Sequence, residues 1–76
     1  MRDVERVCHR IVDEYSFIEE QFIVEDDETG EKAVVLHIHD DFLTVKTAYE
    51  ITCEFDVGTR PLPCEDSIIV WVVGDE

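Results

Sequence analysis

Cysteine, proline, glycine and lysine are scarce in this chain, and it has no long apolar run. These absences argue against a disulfide-rich secreted protein and against a membrane-spanning one. The three cysteines, Cys8, Cys53 and Cys64, are an odd number with no C-x-x-C spacing, so a disulfide framework is not expected. No run approaches the roughly 20 apolar residues of a membrane span, and no apolar leader precedes the first charged residues. We therefore expect a cytoplasmic protein, in which thiols stay reduced.

The length and the apolar content together predict one folded domain, residues 1–76. Seventy-six residues are too few for two independent cores. A hydrophobic share of 45% is enough to form one core and argues against disorder. Because domains this small are often stabilised by self-association, a homo-oligomer is expected.

Acidic residues are the abundant feature. Twenty Asp and Glu stand against six Lys and Arg, a net charge of −14. Residues 1–15 carry four acids and three bases, a balance of −1, so residues 16–76 carry the remaining −13. A field of this sign repels nucleic acid and anionic membranes. The expected partner is therefore a basic protein surface.

The residues from Asp3 to Tyr15 predict an amphipathic helix, because apolar side chains recur at spacings of three and four. Cys8 lies on this apolar stripe. After it, two β-prone runs, Phe22 to Asp26 and Lys32 to His39, flank a turn with Gly30 and predict a hairpin. Successive side chains of a strand point to opposite faces of the sheet. The side chains expected to face the core are Phe22, Val24, Val34, Leu36 and Ile38. Those expected on the opposite face are Val35, His37 and His39.

The segment from Leu43 to Val57 alternates apolar and polar residues without a break, which predicts a long strand. Cys53 then falls on the apolar side, and Glu50, Glu54 and Asp56 form a row on the polar side. The rival interpretation is a helix that begins at a cap on Asp40 or Asp41 and stops at Gly58.

The residues from Gly58 to Asp66 include both prolines and predict a loop. Ser67 to Val73 is apolar on both faces, which is typical of an inner strand or of a strand in contact with another chain. Ile69, Trp71 and Val73 are therefore the expected oligomer contact.

These elements predict an α+β fold in which an N-terminal amphipathic helix packs on an antiparallel sheet of about four strands. The expected order is α-β-β-β-β, with α-β-β-α-β as the alternative. The predicted core under the helix includes residues of helix 1, of the segment 43–57 and of the last strand: Val7, Ile11, Val45, Ile51, Phe55 and Val70.

The candidate chemical sites are weak. His37 and His39 point the same way on a strand and are a minor candidate for a metal pair, with a third ligand needed from Cys64, Glu65 or Asp66. The acidic turn does not match a calcium loop, because Leu36 stands where the bidentate Glu is required. Cys8 and Cys53 fall on apolar faces, and the acids next to Cys64 would raise the pKa of its thiol, so a nucleophilic cysteine is not expected. We expect no cofactor and no enzymatic activity.

The sequence therefore favours a small acidic interaction protein that imitates phosphates toward a nucleic-acid-binding partner, as inhibitors of restriction or CRISPR systems from phages do. The alternative is an ordinary domain adapted to a salt-rich cytosol, with two lysines in the chain; a further one is metal binding at His37 and His39. The expected partner-binding residues are Glu50, Glu54 and Asp56, supported by Glu25, Asp26, Asp27 and Glu28.

Overall fold

One helix followed by two strands occurs twice along the chain, in the order α-β-β-α-β-β. A computed structural model describes residues 3–63 and 66–73. The elements are α1 (Val4–Glu14), β1 (Ile18–Glu25), β2 (Lys32–Ile38), α2 (Thr44–Phe55), β3 (Gly58–Pro61) and β4 (Ser67–Trp71). The predicted α+β class, the N-terminal helix and the four-stranded antiparallel sheet are confirmed.

The sheet order is β1-β2-β4-β3, and every neighbouring pair is antiparallel. β4 is an inner strand, as its two apolar faces predict. Val34 pairs with Val70, and both lie in the core that includes residues of α1 and α2. Both helices therefore pack on the same face of the sheet, and the opposite face is left without a helix.

Helix α1 follows its predicted stripe. Asp3 caps it by accepting a hydrogen bond from the Glu5 backbone N–H at 3.0 Å. Val7, Cys8 and Ile11 are buried against the sheet. Within the described part of the chain, no helix is long and apolar enough to cross a membrane.

The strand predicted from Leu43 to Val57 is wrong, and the rival helix is present. After a single 3₁₀ turn at Asp41–Leu43, α2 extends from Thr44 to Phe55. Its buried residues are Thr44, Thr47, Ala48, Ile51 and Phe55. That set follows the helical spacing of three and four, so packing of this face overrides the strand propensity of the β-branched residues.

Three predicted core residues are also wrong. Val45 is 70% exposed because α2 points it away from the sheet. Phe22 and Val24 are exposed because β1 has an irregularity at Gln21, after which the register shifts and Phe22 pairs with Val35. A shift of one residue moves each following side chain to the other face.

The predicted loop from Gly58 to Asp66 begins with a short strand, β3, paired with β4. Thr59 on β3 donates a hydrogen bond to the Ala48 carbonyl of α2. This contact ties the middle of α2 to the edge strand of the sheet.

Candidate protein-binding surface

Acidic side chains of two helices meet where α1 and α2 end. Glu50 and Glu54 are one turn apart on α2, so their Cβ atoms are about 5–6 Å from each other. The Tyr15 hydroxyl, just after α1, donates a hydrogen bond of 2.6 Å to Glu54 Oε1. Glu14 lies beside the same carboxylate, close enough for its protonated form to donate a hydrogen bond to it. We call Glu14, Glu50 and Glu54 the helix-end acids.

The prediction that Glu50, Glu54 and Asp56 form a row on a strand is wrong in its geometry. Glu50 and Glu54 do share one side of an element, but that element is a helix. Asp56 does not continue their line, because it is the C-terminal cap of α2 with a left-handed backbone at φ 56°. Left-handed backbone is unfavourable for residues with a Cβ, although Asp tolerates it better than most.

The field around the helix-end acids is strongly negative. The hydrogen bond to Glu54 and repulsion from its charge raise the pKa of Glu14 above its ordinary 4.5. The hydrogen bond to Glu54, with burial and nearby carboxylates, raises the pKa of Tyr15 to about 12. Neither helix has a basic residue in its last turn. Because a helix C-terminus carries partial negative charge, this arrangement concentrates negative charge at one place.

One cation lies at each side of this cluster. Lys46 Nζ is 4.0 Å from Glu50 Oε2, with both side chains open to solvent. The Arg10 guanidinium lies over the Phe55 ring, 5.4 Å from its centroid, and attracts Glu14. The exposed ion pair between Lys46 and Glu50 contributes little to stability.

The hairpin-tip acids lie elsewhere. Glu25, Asp26, Asp27 and Glu28 are all exposed at the end of the β1–β2 hairpin. Asp26 orders the turn by accepting a hydrogen bond from the Glu28 backbone N–H at 2.8 Å. β1 is one edge of the sheet, whereas α2 packs mainly against β3, the other edge. The structure therefore groups the predicted acids into two separate sets.

His37 and His39 are adjacent, as predicted for alternate residues of a strand. Their rings meet edge to face, with centroids 4.8 Å apart. His39 Nε2 is 2.7 Å from Glu19 Oε1, and His37 Nδ1 is buried without a partner. Among the described residues, no three metal-binding side chains come together. Cys64 and Glu65, two of the suggested third ligands, lie outside the described residues.

The cysteines differ in environment. Cys8 is buried, and burial, with Glu20 and Glu5 nearby, raises the pKa of its thiol to about 12. Cys53 was predicted to lie in the core but is exposed on α2, because the helix turns it away from the sheet. The charged groups that act on the Cys8 thiol are carboxylates, which disfavour the thiolate that a nucleophile needs.

The sheet face opposite the helices is largely apolar. The strand pairings put Phe22, Val35 and Ile69 in one row across it, with Val24, Ala33 and Trp71 in the next. Ile69 and Trp71 are half-buried, and Val73 is 53% exposed. The Trp71 indole covers Gly58, where a Cβ would collide with the ring. We call this surface the open sheet face.

A second apolar surface was missed at the level of sequence. Val45, Tyr49 and Cys53 are exposed along one side of α2, and Phe42, in the 3₁₀ turn just before it, is 95% exposed. We call these four residues the α2 ridge. Their spacing of three, four and four was visible in the sequence, but the strand interpretation put Val45 in the core and Cys53 on the apolar side of the strand.

No known family model matches the chain, and comparison with curated proteins and with solved structures found no similar protein.

Proposed function

We propose that this protein is a non-enzymatic, acidic interaction protein that binds the basic surface of a nucleic-acid-binding protein, where its carboxylates replace phosphates. The observation that carries the proposal is the meeting of Glu14 and Glu54 at the ends of two helices that lack a basic residue in their last turns, with Glu50 one turn before Glu54. We place the protein in the cytoplasm, where such partners are found.

Preorganisation supports this function. Glu50 and Glu54 lie on a packed helix, and Tyr15 holds the Glu54 carboxylate by a hydrogen bond. Ordered groups lose less conformational entropy on binding than those of a flexible acidic tail. Carboxylates that repel one another in the free protein are also stabilised when a partner places Lys or Arg between them, which adds favourable free energy to binding.

The local arrangement is unfavourable in the free protein, which also supports a binding role. Carboxylates at helix C-termini oppose the helix dipole, and Asp56 adds a left-handed backbone at the end of α2. Unfavourable features of this kind concentrate at functional sites. A bound guanidinium or ammonium group would reverse the electrostatic part of the cost.

Charge reversal tests the proposal. Capture from a host lysate followed by mass spectrometry identifies the partner. The variant Glu50→Lys/Glu54→Lys/Asp56→Lys should then remain folded and lose binding by 100-fold or more, an effect on the order of 3 kcal/mol. Wild-type affinity should weaken as salt rises.

The matched control is Glu25→Lys/Asp27→Lys/Glu28→Lys, which changes the net charge by the same amount at the hairpin tip and keeps Asp26, whose carboxylate orders the turn. It should weaken binding less than the α2 variant. Equal losses in both variants would show that net charge, and not the helix-end surface, governs binding. Unchanged affinity of the α2 variant would refute the proposed surface.

We further propose that the open sheet face joins two copies of the chain through Ile69, Trp71 and Val73. The open sheet face carries few charged side chains, although the chain has a net charge of −14. The open sheet faces of two copies can therefore pack together while their helix-end acids stay apart. Four strands spaced about 4.8 Å apart give a patch about 19 Å wide, enough for a small interface. Sedimentation equilibrium at micromolar concentration should give a dimer that Ile69→Glu dissociates; a species of 8.8 kDa for the wild type would contradict this.

A further inference from the structure

The α2 ridge contains the three most exposed large apolar side chains among the residues that the structure describes. Phe42 is 95% exposed, Tyr49 is 72% exposed and Val45 is 70% exposed. The opposite side of α2 supplies its core contacts through Ala48, Ile51 and Phe55, among others. The ridge therefore has no role in the packing of the helix on the sheet.

The spacing of the ridge matches a known mode of recognition. Val45 to Tyr49 and Tyr49 to Cys53 are steps of four on α2, and Phe42, in the 3₁₀ turn that leads into the helix, precedes Val45 by three residues. Side chains at these steps lie along one side of a helix and can enter an apolar groove together. Phe and Tyr provide large contact areas with few rotatable bonds, and aromatic residues are enriched at interface centres.

The charges beside the ridge indicate which groove would fit. Along one flank run Lys46, Glu50 and Glu54 at successive turns, and Lys46 already faces Glu50. Glu14 of α1 adds to the same flank through its contact with Glu54. The flank is thus net negative beside the apolar ridge. A complementary groove has an apolar floor and Lys or Arg along its rim.

A second copy of this chain is a poor occupant of the same surface. Joining two α2 ridges would bring both sets of helix-end acids to one interface, in chains that each carry a net charge of −14. Like charges across an interface disfavour association. The charge pattern therefore favours a basic partner over self-association at α2.

We infer that the α2 ridge is the apolar anchor of the contact with the basic partner: Phe42, Val45 and Tyr49 enter an apolar groove, and the helix-end acids pair with Lys or Arg on its rim. This inference rests on the proposed function and adds the apolar chemistry of the partner to its charge. The helix-end acids then contribute the part of the partner affinity that salt weakens. The α2 ridge contributes the part that persists at high salt.

Two synthetic 18-residue peptides of equal positive charge test this inference without knowledge of the partner. One is an amphipathic helix with a Leu face between rows of Lys. In the other, every Leu is replaced by Gln. Titration into the full ¹⁵N-labelled protein, followed by NMR, should give about 10-fold tighter binding of the Leu peptide, with the largest shifts over residues 42–53.

Two double variants then locate the apolar contact. Phe42→Ala/Tyr49→Ala should remove the preference for the Leu peptide while binding of the Gln peptide stays the same. The matched control Phe22→Ala/Val24→Ala, which shortens exposed apolar residues on the open sheet face, should keep the preference.

The possible failures are distinguishable. If neither peptide binds, the proposed acidic function fails. If both bind equally, or if only the control variant loses the preference, the acidic surface stands and the ridge inference is overturned. Sedimentation in which Phe42→Ala/Tyr49→Ala dissociates a wild-type dimer would assign the ridge to self-association and would also overturn it.

Discussion

At the scale of single residues, burial separates apolar side chains that stabilise the fold from those left for contacts. Ile11 is fully buried in the core, whereas Val45 is 70% exposed on α2. We expect Ile11→Ala to lower the free energy of unfolding by about 2–5 kcal/mol, because it leaves a cavity and loses apolar burial.

Val45→Ala is the matched control, and it should change the free energy of unfolding by less than about 0.5 kcal/mol. Urea denaturation measures both. A large loss for Val45→Ala, or a loss near zero for Ile11→Ala, would contradict the orientation of the helix concerned.

Tyr15 should make stability depend on pH in the alkaline range. Its hydrogen bond to Glu54 raises the pKa of the phenol from 10.0 to about 12. The protonated phenol is therefore favoured by the fold, so its contribution is fully present below pH 10 and is lost as the pH rises from 10 to 12.

Absorbance of the phenolate near 295 nm should show one tyrosine that ionises near pH 12 in the folded protein. Tyr15→Phe should remove that transition and reduce the loss of stability from pH 10 to 12, measured by urea denaturation. Tyr49→Phe is the control and should keep the transition. A transition at pH 12 that survives in Tyr15→Phe would refute the assignment.

At the scale of elements, the meeting of two helix ends has a measurable electrostatic cost. Glu54 raises the pKa of Glu14, so ionisation of Glu14 removes stability as the pH rises through that pKa. Glu14→Gln removes a carboxylate from the end of α1 and should raise the thermal midpoint at pH 7 and low salt.

The gain from Glu14→Gln should shrink in high salt, since screening weakens the repulsion that the substitution relieves. Asp13→Asn provides a comparison, as it removes one charge from the exposed neighbour in the same turn. An equal gain from both variants would point to a general charge effect and not to the contact between Glu14 and Glu54.

The elements also show what a pattern of residues can predict. Helix α1 and the hairpin were predicted because a helix capped by Asp3 and a turn at Gly30 are local features. Residues 44–55 were misassigned because Thr, Val and Ile alternate there, and only packing against β3 and β4 selects the helix. Phe22 was misplaced because nothing in the local sequence reveals the irregularity at Gln21.

The candidate site was predicted in the same partial way. Glu50 and Glu54 were chosen on charge, and the structure does put them on one side of one element. Glu14 and Tyr15 could not be predicted, because their contact with Glu54 spans about 40 residues of chain. The α2 ridge could have been found only from the helical interpretation.

At the scale of the whole molecule, salt dependence separates the two origins of the net charge of −14. We expect the protein to be folded at physiological salt, with a modest gain in thermal midpoint up to molar KCl, because its core of both helices and the sheet does not depend on ions. Circular dichroism melts measure this. A protein unfolded at low salt that gains stability steeply with KCl would support adaptation to a salt-rich cytosol.

The edge strand β1 makes the solubility of this protein depend on its charge. β1 is an edge strand, with Phe22, Ile23 and Val24 consecutive and all at least 38% exposed. Unpaired edges of this kind template cross-β growth, and charge is one of the features that prevent it. As the pH falls toward about 4, carboxylates take up protons, so the repulsion between molecules fades while the edge stays apolar. Thioflavin T fluorescence should then increase as fibrils form, and Ile23→Lys should suppress that increase. Such a result would show that the ionised carboxylates keep this chain from forming amyloid at neutral pH.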